Sequence, residues 1–145
     1  MILVVDVSIA IKWLVAEPGD KLAGALLLNF PATRAPDFVA VEVGNVLWKK
    51  VRRAELSVHQ AEQALASLPQ FFDELFPARR LVGRALQISL EIDHPIYDCL
   101  YLACAEENSA KLATVDTRLM NKCANTPFAH YVVFVDRAID PASLI

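Results

Sequence analysis

Two short apolar runs that each deliver an aspartate constrain this chain more than any other feature. Ile2-Leu3-Val4-Val5 leads into Asp6, and Leu112-Ala113-Thr114-Val115 leads into Asp116. Runs this short and valine-rich fit central strands of a parallel sheet, buried on both faces. Open parallel sheets take their ligands just outside the carboxyl ends of the strands. Two such strands would therefore bring two acids to one rim. Asp136 also ends an apolar run that begins near His130, so the strand-end position alone does not separate it from Asp6 and Asp116.

The bulk properties remove several function classes. A chain of 145 residues is expected to fold as one domain, spanning 1–145. Its four glycines, Gly19, Gly24, Gly44 and Gly83, form neither G-x-x-x-x-G-K-[ST] nor G-x-G-x-x-G, which excludes P-loop and Rossmann phosphate cradles. Cys99, Cys104 and Cys123 are odd in number and make no C-x-x-C pair, so they are expected to be reduced core residues of a cytoplasmic protein. No apolar run approaches a membrane span, and an acid at position 6 does not suit a signal peptide. An apolar share of 55% is mild evidence for a surface that meets another protein. The net charge of −3 fits an ordinary solvated surface, and equally an acid cluster that gathers a divalent ion.

Taken in order, the chain alternates strand and helix signals. A helix is expected over 8–16, stopping before Glu17-Pro18-Gly19, with Asp20 capping the next helix over 21–29. A short strand over 33–35 closes at Pro36, and Asp37 is expected to cap a long helix over 38–54. On that helix Val39, Val43, Val46 and Leu47 form the core stripe. Glu42, Asn45 and Lys49 share a neighbouring stripe, where Glu42 reads equally as a boundary residue facing water and as a functional acid. The helix ends in Lys49-Lys50-Val51-Arg52-Arg53, which suits the helix dipole and offers an alternative role toward phosphates.

Ser57 and Gln60 make a capping box for a helix ending near Leu68-Pro69. A short strand over 70–76 is expected next, then a helix from Pro77 or Ala78 to Ile92 carrying Arg79, Arg80 and Arg84. A break over 91–97 precedes a helix over 98–108, in which Asp98 reads as a cap or first-turn stabiliser at least as readily as a catalyst. His59 is expected on the surface of a helix, and His94 as an exposed loop residue, with metal binding as its alternative. A helix over 117–124 and a last strand over 130–136 complete the pattern.

Four acids have then appeared in order: Asp6 in VVDVS, Glu42 in VAVEVGNVLWK, Asp98 in PIYDCLYLACAEE and Asp116 in LATVD. In this ordered set the chain resembles the PIN-domain nucleases, and among them the VapC-type toxins of toxin–antitoxin pairs. The resemblance spans nearly the whole chain. It implies an α/β/α sandwich around a twisted, mainly parallel sheet, with the four acids converging at one end as catalytic residues. Ser8 and Thr114 match hydroxyl positions near the first and last acid, and Asn45 a position that is polar in many relatives. Cys99 stands where alanine is more usual, residues 117–120 supply no further carboxylate, and Asp136 matches no family acid.

The chemistry follows from the donor set. Carboxylates crowded together raise one another's pKa, and a divalent ion relieves that repulsion. Magnesium and manganese favour such oxygen ligands and can activate water for attack on phosphorus. The resemblance implies Mg2+ or Mn2+ held by Asp6, Asp98 and Asp116, with Glu42 binding metal or orienting water, and with Ser8, Thr114 and Asn45 as their supports. Lys12, Lys49, Lys50 and Arg118 are the candidate phosphate contacts on RNA. A cognate antitoxin and a homodimer are the implied partners. Two alternatives stand beside this reading: a PIN-like RNA-binding module without catalysis, and an aspartyl-phosphate phosphatase or receiver. The second lacks the D-x-D of the one and the adjacent acids of the other.

Overall fold

The computed structural model describes residues 2–135. The described strands are β1 (Ile2–Val5), β2 (Ala32–Pro36), β3 (Glu74–Phe76), β4 (Lys111–Thr114) and β5 (Val132–Phe134). All pair in parallel, in the order β3-β2-β1-β4-β5. The helices are α1 (Val7–Leu14), α2 (Asp20–Asn29), α3 (Val39–Arg52), α4 (Val58–Ser67), α5 (Ala78–Ile92), α6 (Ile96–Glu107) and α7 (Thr117–Cys123). The result is the expected α/β sandwich.

Leu3, Val4 and Val5 are all buried. Successive strand residues point to opposite faces, so β1 is covered on both sides. Both α1 and α6 pack against it. From Cys99 to Ala105 every residue of α6 is buried, which makes it the helix enclosed on all sides. On α3, Val39, Val43 and Leu47 bury one stripe, while Val46 at its edge is only half-buried. Each fully buried Leu or Val of this core contributes about 1.5–3 kcal/mol. Cys99, Cys104 and Cys123 are free and buried, and burial first of all pushes their thiols up to about 12, 12 and 11.

The topology positions the site. From β1 the chain steps outward through β2 to β3, then returns to add β4 and β5 on the other side of β1. The direction reverses between β1 and β4, the place where such sheets open a crevice at their carboxyl ends. Asp6 and Asp116 follow those two strands.

Several local expectations change. Asp20 sits inside the first turn of α2, and Gly19, at φ 89°, occupies the cap position instead. Asp37 does not cap α3: its Oδ1 accepts from the Ala78 N–H at 2.9 Å, so it tethers the start of α5. The aromatic stretch 70–76 divides into a 3₁₀ turn (Leu68–Phe71) and the three-residue β3. Helix α6 begins two residues early, at Ile96, because Pro95 fits the position before a first turn.

His94 is not an exposed loop residue but a buried one. Asp93 ends α5 in the left-handed region at φ 52°, and the reversal folds His94 inward. Its N–H donates to Ser89 O at 3.2 Å, and the Ser89 hydroxyl donates to its carbonyl at 2.5 Å. The Ser57–Gln60 capping box forms as expected. Asp136 and the residues after it lie outside the described residues.

Candidate active site

Asp6 is the buried centre of the arrangement. It caps α1: Oδ1 accepts from the Ser8 N–H at 3.0 Å and from the Ser8 hydroxyl, while Oδ2 accepts from the Thr114 hydroxyl. The pairing of Val5 with Ala113 brings Thr114 alongside. Ser8 Oγ in turn accepts from the Val115 N–H at 3.1 Å, and Thr114 Oγ1 accepts from the Asp116 N–H at 3.0 Å. Two hydroxyls thus lace the end of β1 to the end of β4. Asp116 caps α7, its Oδ1 accepting from the Arg118 and Leu119 N–H groups at 2.9 and 3.3 Å.

Burial pushes the Asp6 carboxyl up to about 6. The hydrogen bonds from Ser8 and Thr114 oppose that rise, and the charge of Asp98 adds to it. Glu42, half-buried on α3, is also raised, first by burial and further by Asp98, against a hydrogen bond from Tyr101. The Tyr101 hydroxyl donates to Glu42 Oε1 at 2.6 Å. Burial and the neighbouring acids hold the Tyr101 phenol well above its ordinary range, so it serves as a neutral donor. Asp98, in the first turn of α6, has Oδ2 2.6 Å from His94 Nε2. An ionised carboxylate only accepts, which makes Nε2 the donor.

The structure therefore brings Asp6, Glu42 and Asp98 into electrostatic contact, and ties only the backbone N–H of Asp116 to Asp6 through Thr114, while the Asp116 carboxylate caps α7. Among the described residues, no three acid, histidine or cysteine side chains are gathered closely enough to grip an ion directly. The donor chemistry nonetheless fits a hard divalent cation. Magnesium characteristically keeps several waters and binds through one or two carboxylates. Raised carboxyl pKa values are the electrostatic signature that such an ion would relieve.

The expected phosphate contacts divide. Lys12 Nζ lies 2.9 Å from Glu17 Oε1 and 2.8 Å from the Pro18 carbonyl, and Lys50 Nζ lies 3.0 Å from Glu17 Oε2. One half-buried glutamate therefore engages both lysines. Lys49 instead lines, with Glu42, a cavity of about 500 Å³; Asn45, expected as a support for the acids, lines the same cavity and makes no side-chain hydrogen bond to them among the described residues. Arg118 is exposed and borders a second cavity of about 540 Å³ with His94 and Lys122.

Sequence reasoning missed two supports. Tyr101 lies three residues after Asp98, hence on the same face of a helix, and that spacing was the available signal. His94 precedes Asp98 by four residues, but Pro95 separates them and hides the relation.

Comparison with known proteins adds an independent line. The PIN domain family profile matches residues 3–125. The chain is similar to Ribonuclease VapC3 of Pyrobaculum aerophilum, at 32% identity over 124 residues, covering 84% of this chain and 95% of the relative. It is similar to Ribonuclease VapC1 of Mycobacterium tuberculosis at 30% identity over 118 residues, covering 80% and 86%. Among solved structures, that of PAE2754 from Pyrobaculum aerophilum superposes with a TM-score of 0.66 at 22% identity, over 90% of this chain and 81% of that one. A toxin–antitoxin complex from Klebsiella pneumoniae gives 0.63 at 20% identity, over 90% and 95%. At these identities the two structures speak for the fold.

Proposed function

The chain belongs to the PIN-domain family, in its VapC-type branch, and on that footing we propose that it is a divalent-metal-dependent endoribonuclease toxin, neutralised by a cognate antitoxin. The observation that carries this reading is the set of acids around the β1/β4 reversal, where burial, with a smaller contribution from the charge of Asp98, raises the Asp6 and Glu42 carboxyls. The names of the two relatives support ribonuclease activity, and the Klebsiella complex supports an antitoxin partner.

Asp6, Asp98 and Asp116 would hold Mg2+ or Mn2+, directly or through water. The ion would neutralise phosphate charge and sharpen a water molecule for in-line attack on phosphorus. Glu42 orients the attacking water and accepts its proton, a task that a raised carboxyl pKa favours. Tyr101 keeps one Glu42 oxygen fixed, and His94 does the same for Asp98. Ser8 and Thr114 hold Asp6 in a single orientation. Asn45, Lys49 and Arg118 serve the RNA, whereas Lys12 and Lys50 are committed to Glu17.

The whole chain acts as one PIN domain on cytoplasmic RNA. Among the described residues no helix is long and apolar enough to cross a membrane. Two exposed apolar features support the protein partners. Val82, Leu86 and Leu90 line one face of α5 and suit a homodimer. Trp48, Val58 and Leu65 border a groove between α3 and α4 that suits an antitoxin segment.

Expression in a bacterial host tests the proposal. The chain should arrest growth and degrade RNA, Asp98→Asn should do neither, and co-expression of the antitoxin should restore growth. Arrest that persists in Asp98→Asn would contradict it.

A further inference from the structure

We propose that the cavity beside Glu42 is a nucleobase pocket, in which Tyr97 stacks one unpaired base of the RNA next to the cleaved phosphate. The inference rests on the nuclease reading above and adds to it one base-binding residue, Tyr97, beside the acids.

Tyr97 immediately precedes Asp98 in the first turn of α6. Its ring stacks on Phe38, with centroids 5.8 Å apart and planes 16° from parallel. The residue is nevertheless 57% exposed. One face is thus fixed by packing and the other side is open, so a base can stack on it at little cost in rotamer freedom. The ring borders the same cavity of about 500 Å³ as Glu42, Asn45 and Lys49. A volume of this order lies within the small-ligand range.

The lining matches a nucleotide part by part. An aromatic plane takes the face of any base. The exposed Asn45 amide, both donor and acceptor, suits a base edge. The exposed Lys49 ammonium suits a backbone phosphate. Sequence-selective RNA recognition works through bases splayed from their stack onto aromatic rings, which a base inside a duplex does not offer. The α3–α4 groove is lined almost wholly by apolar surface, as a peptide's apolar face would want, whereas this cavity adds the polar Glu42, Asn45 and Lys49.

The test uses the full chain carrying Asp6→Asn, in Mg2+, so that RNA survives. The probe is a single-stranded RNA oligonucleotide containing 2-aminopurine, free or annealed to its complement. The single strand should bind with quenched fluorescence. Adding Tyr97→Ala should abolish the quenching and weaken binding roughly fivefold to 150-fold. Tyr97→Phe should preserve both, and duplex should bind weakly and ignore either change. Unaltered quenching and affinity in Tyr97→Ala would overturn the inference, as would equal affinity for duplex. So would a Tyr97→Ala variant that keeps its RNA but loses hold of the antitoxin, which would give the surface to that protein. If the wild-type chain cleaves no RNA yet shows Tyr97-dependent quenching, the pocket stands and the nuclease reading falls.

Discussion

The Tyr101 hydroxyl, on the enclosed helix α6, donates to Glu42 Oε1 on α3 at 2.6 Å. This bond crosses the site and restrains a carboxylate that burial alone would leave harder to ionise. Tyr101→Phe keeps the ring's packing and removes only the donor. It should cost about 1.5–3 kcal/mol of stability, the worth of a hydrogen bond to a charged group. Cleavage should fall about 10–100-fold, mostly in kcat, and the acid limb of the pH–rate profile should move to higher pH. An unshifted limb would show that Tyr101 only fills space.

His94 stands behind Asp98 as Tyr101 stands behind Glu42, with Nε2 and Oδ2 2.6 Å apart. Replacing it by alanine should free the Asp98 carboxylate to turn. Activity should drop about 10–100-fold, and half-saturation by Mn2+ should move to higher concentration. Cleavage assayed across a manganese titration checks this, and an unchanged midpoint would remove His94 from the site.

Asp6 makes the protein's stability depend on pH with a definite sign. Its folded pKa, about 6, lies above the ordinary 3.8, so the folded state binds the extra proton between those values. The contribution of Asp6 to stability is therefore fully present below pH 3.8 and is lost as pH rises through 6, a change of about 3 kcal/mol. Asp6→Asn should accordingly raise the melting temperature by several degrees at pH 7 while abolishing cleavage, and the gain should vanish near pH 4. In the wild type, Mg2+ or Mn2+ should recover the same stability at pH 7. Thermal melts at the two pH values decide it.

Glu17 runs the opposite way. Burial raises its carboxyl, but the bonds from Lys12 and Lys50 outweigh that and leave it below the ordinary range. Its contribution is present above the unfolded value of 4.5 and is lost as pH falls through the folded one. Glu17→Gln should cost about 1 kcal/mol at pH 7, and the cost should shrink as the pH is lowered below 4.5. Melting curves that differ equally at both values would contradict the assignment.

The parts legible in the sequence are those set by local chemistry. Apolar runs announced β1 and β4, helical spacing announced the Val39, Val43 and Leu47 stripe, and Ser57 with Gln60 announced a helix start. Singly, Glu42 reads as readily as a boundary residue and Asp98 as a cap; the four acids stand out through their order and the family resemblance it carries. What stayed hidden depends on tertiary contact. Asp37 looks like a cap until Ala78, 41 residues on, supplies its partner. His94 looks like a loop residue until the left-handed Asp93 turns it inward. Lys12 and Lys50 look like free cations until a shared glutamate draws them together.

In the function proposed above, Asp6 and Asp98 form one divalent-dependent centre that cuts RNA. The most direct measurement is the cleavage rate of purified RNA with Mg2+ or Mn2+, with and without EDTA, for the wild type, Asp6→Asn and Asp98→Asn. The wild type should cleave, EDTA should stop it, and either variant should be at least about a hundredfold slower. Cleavage that proceeds unchanged in EDTA, or that survives in both variants, would contradict it.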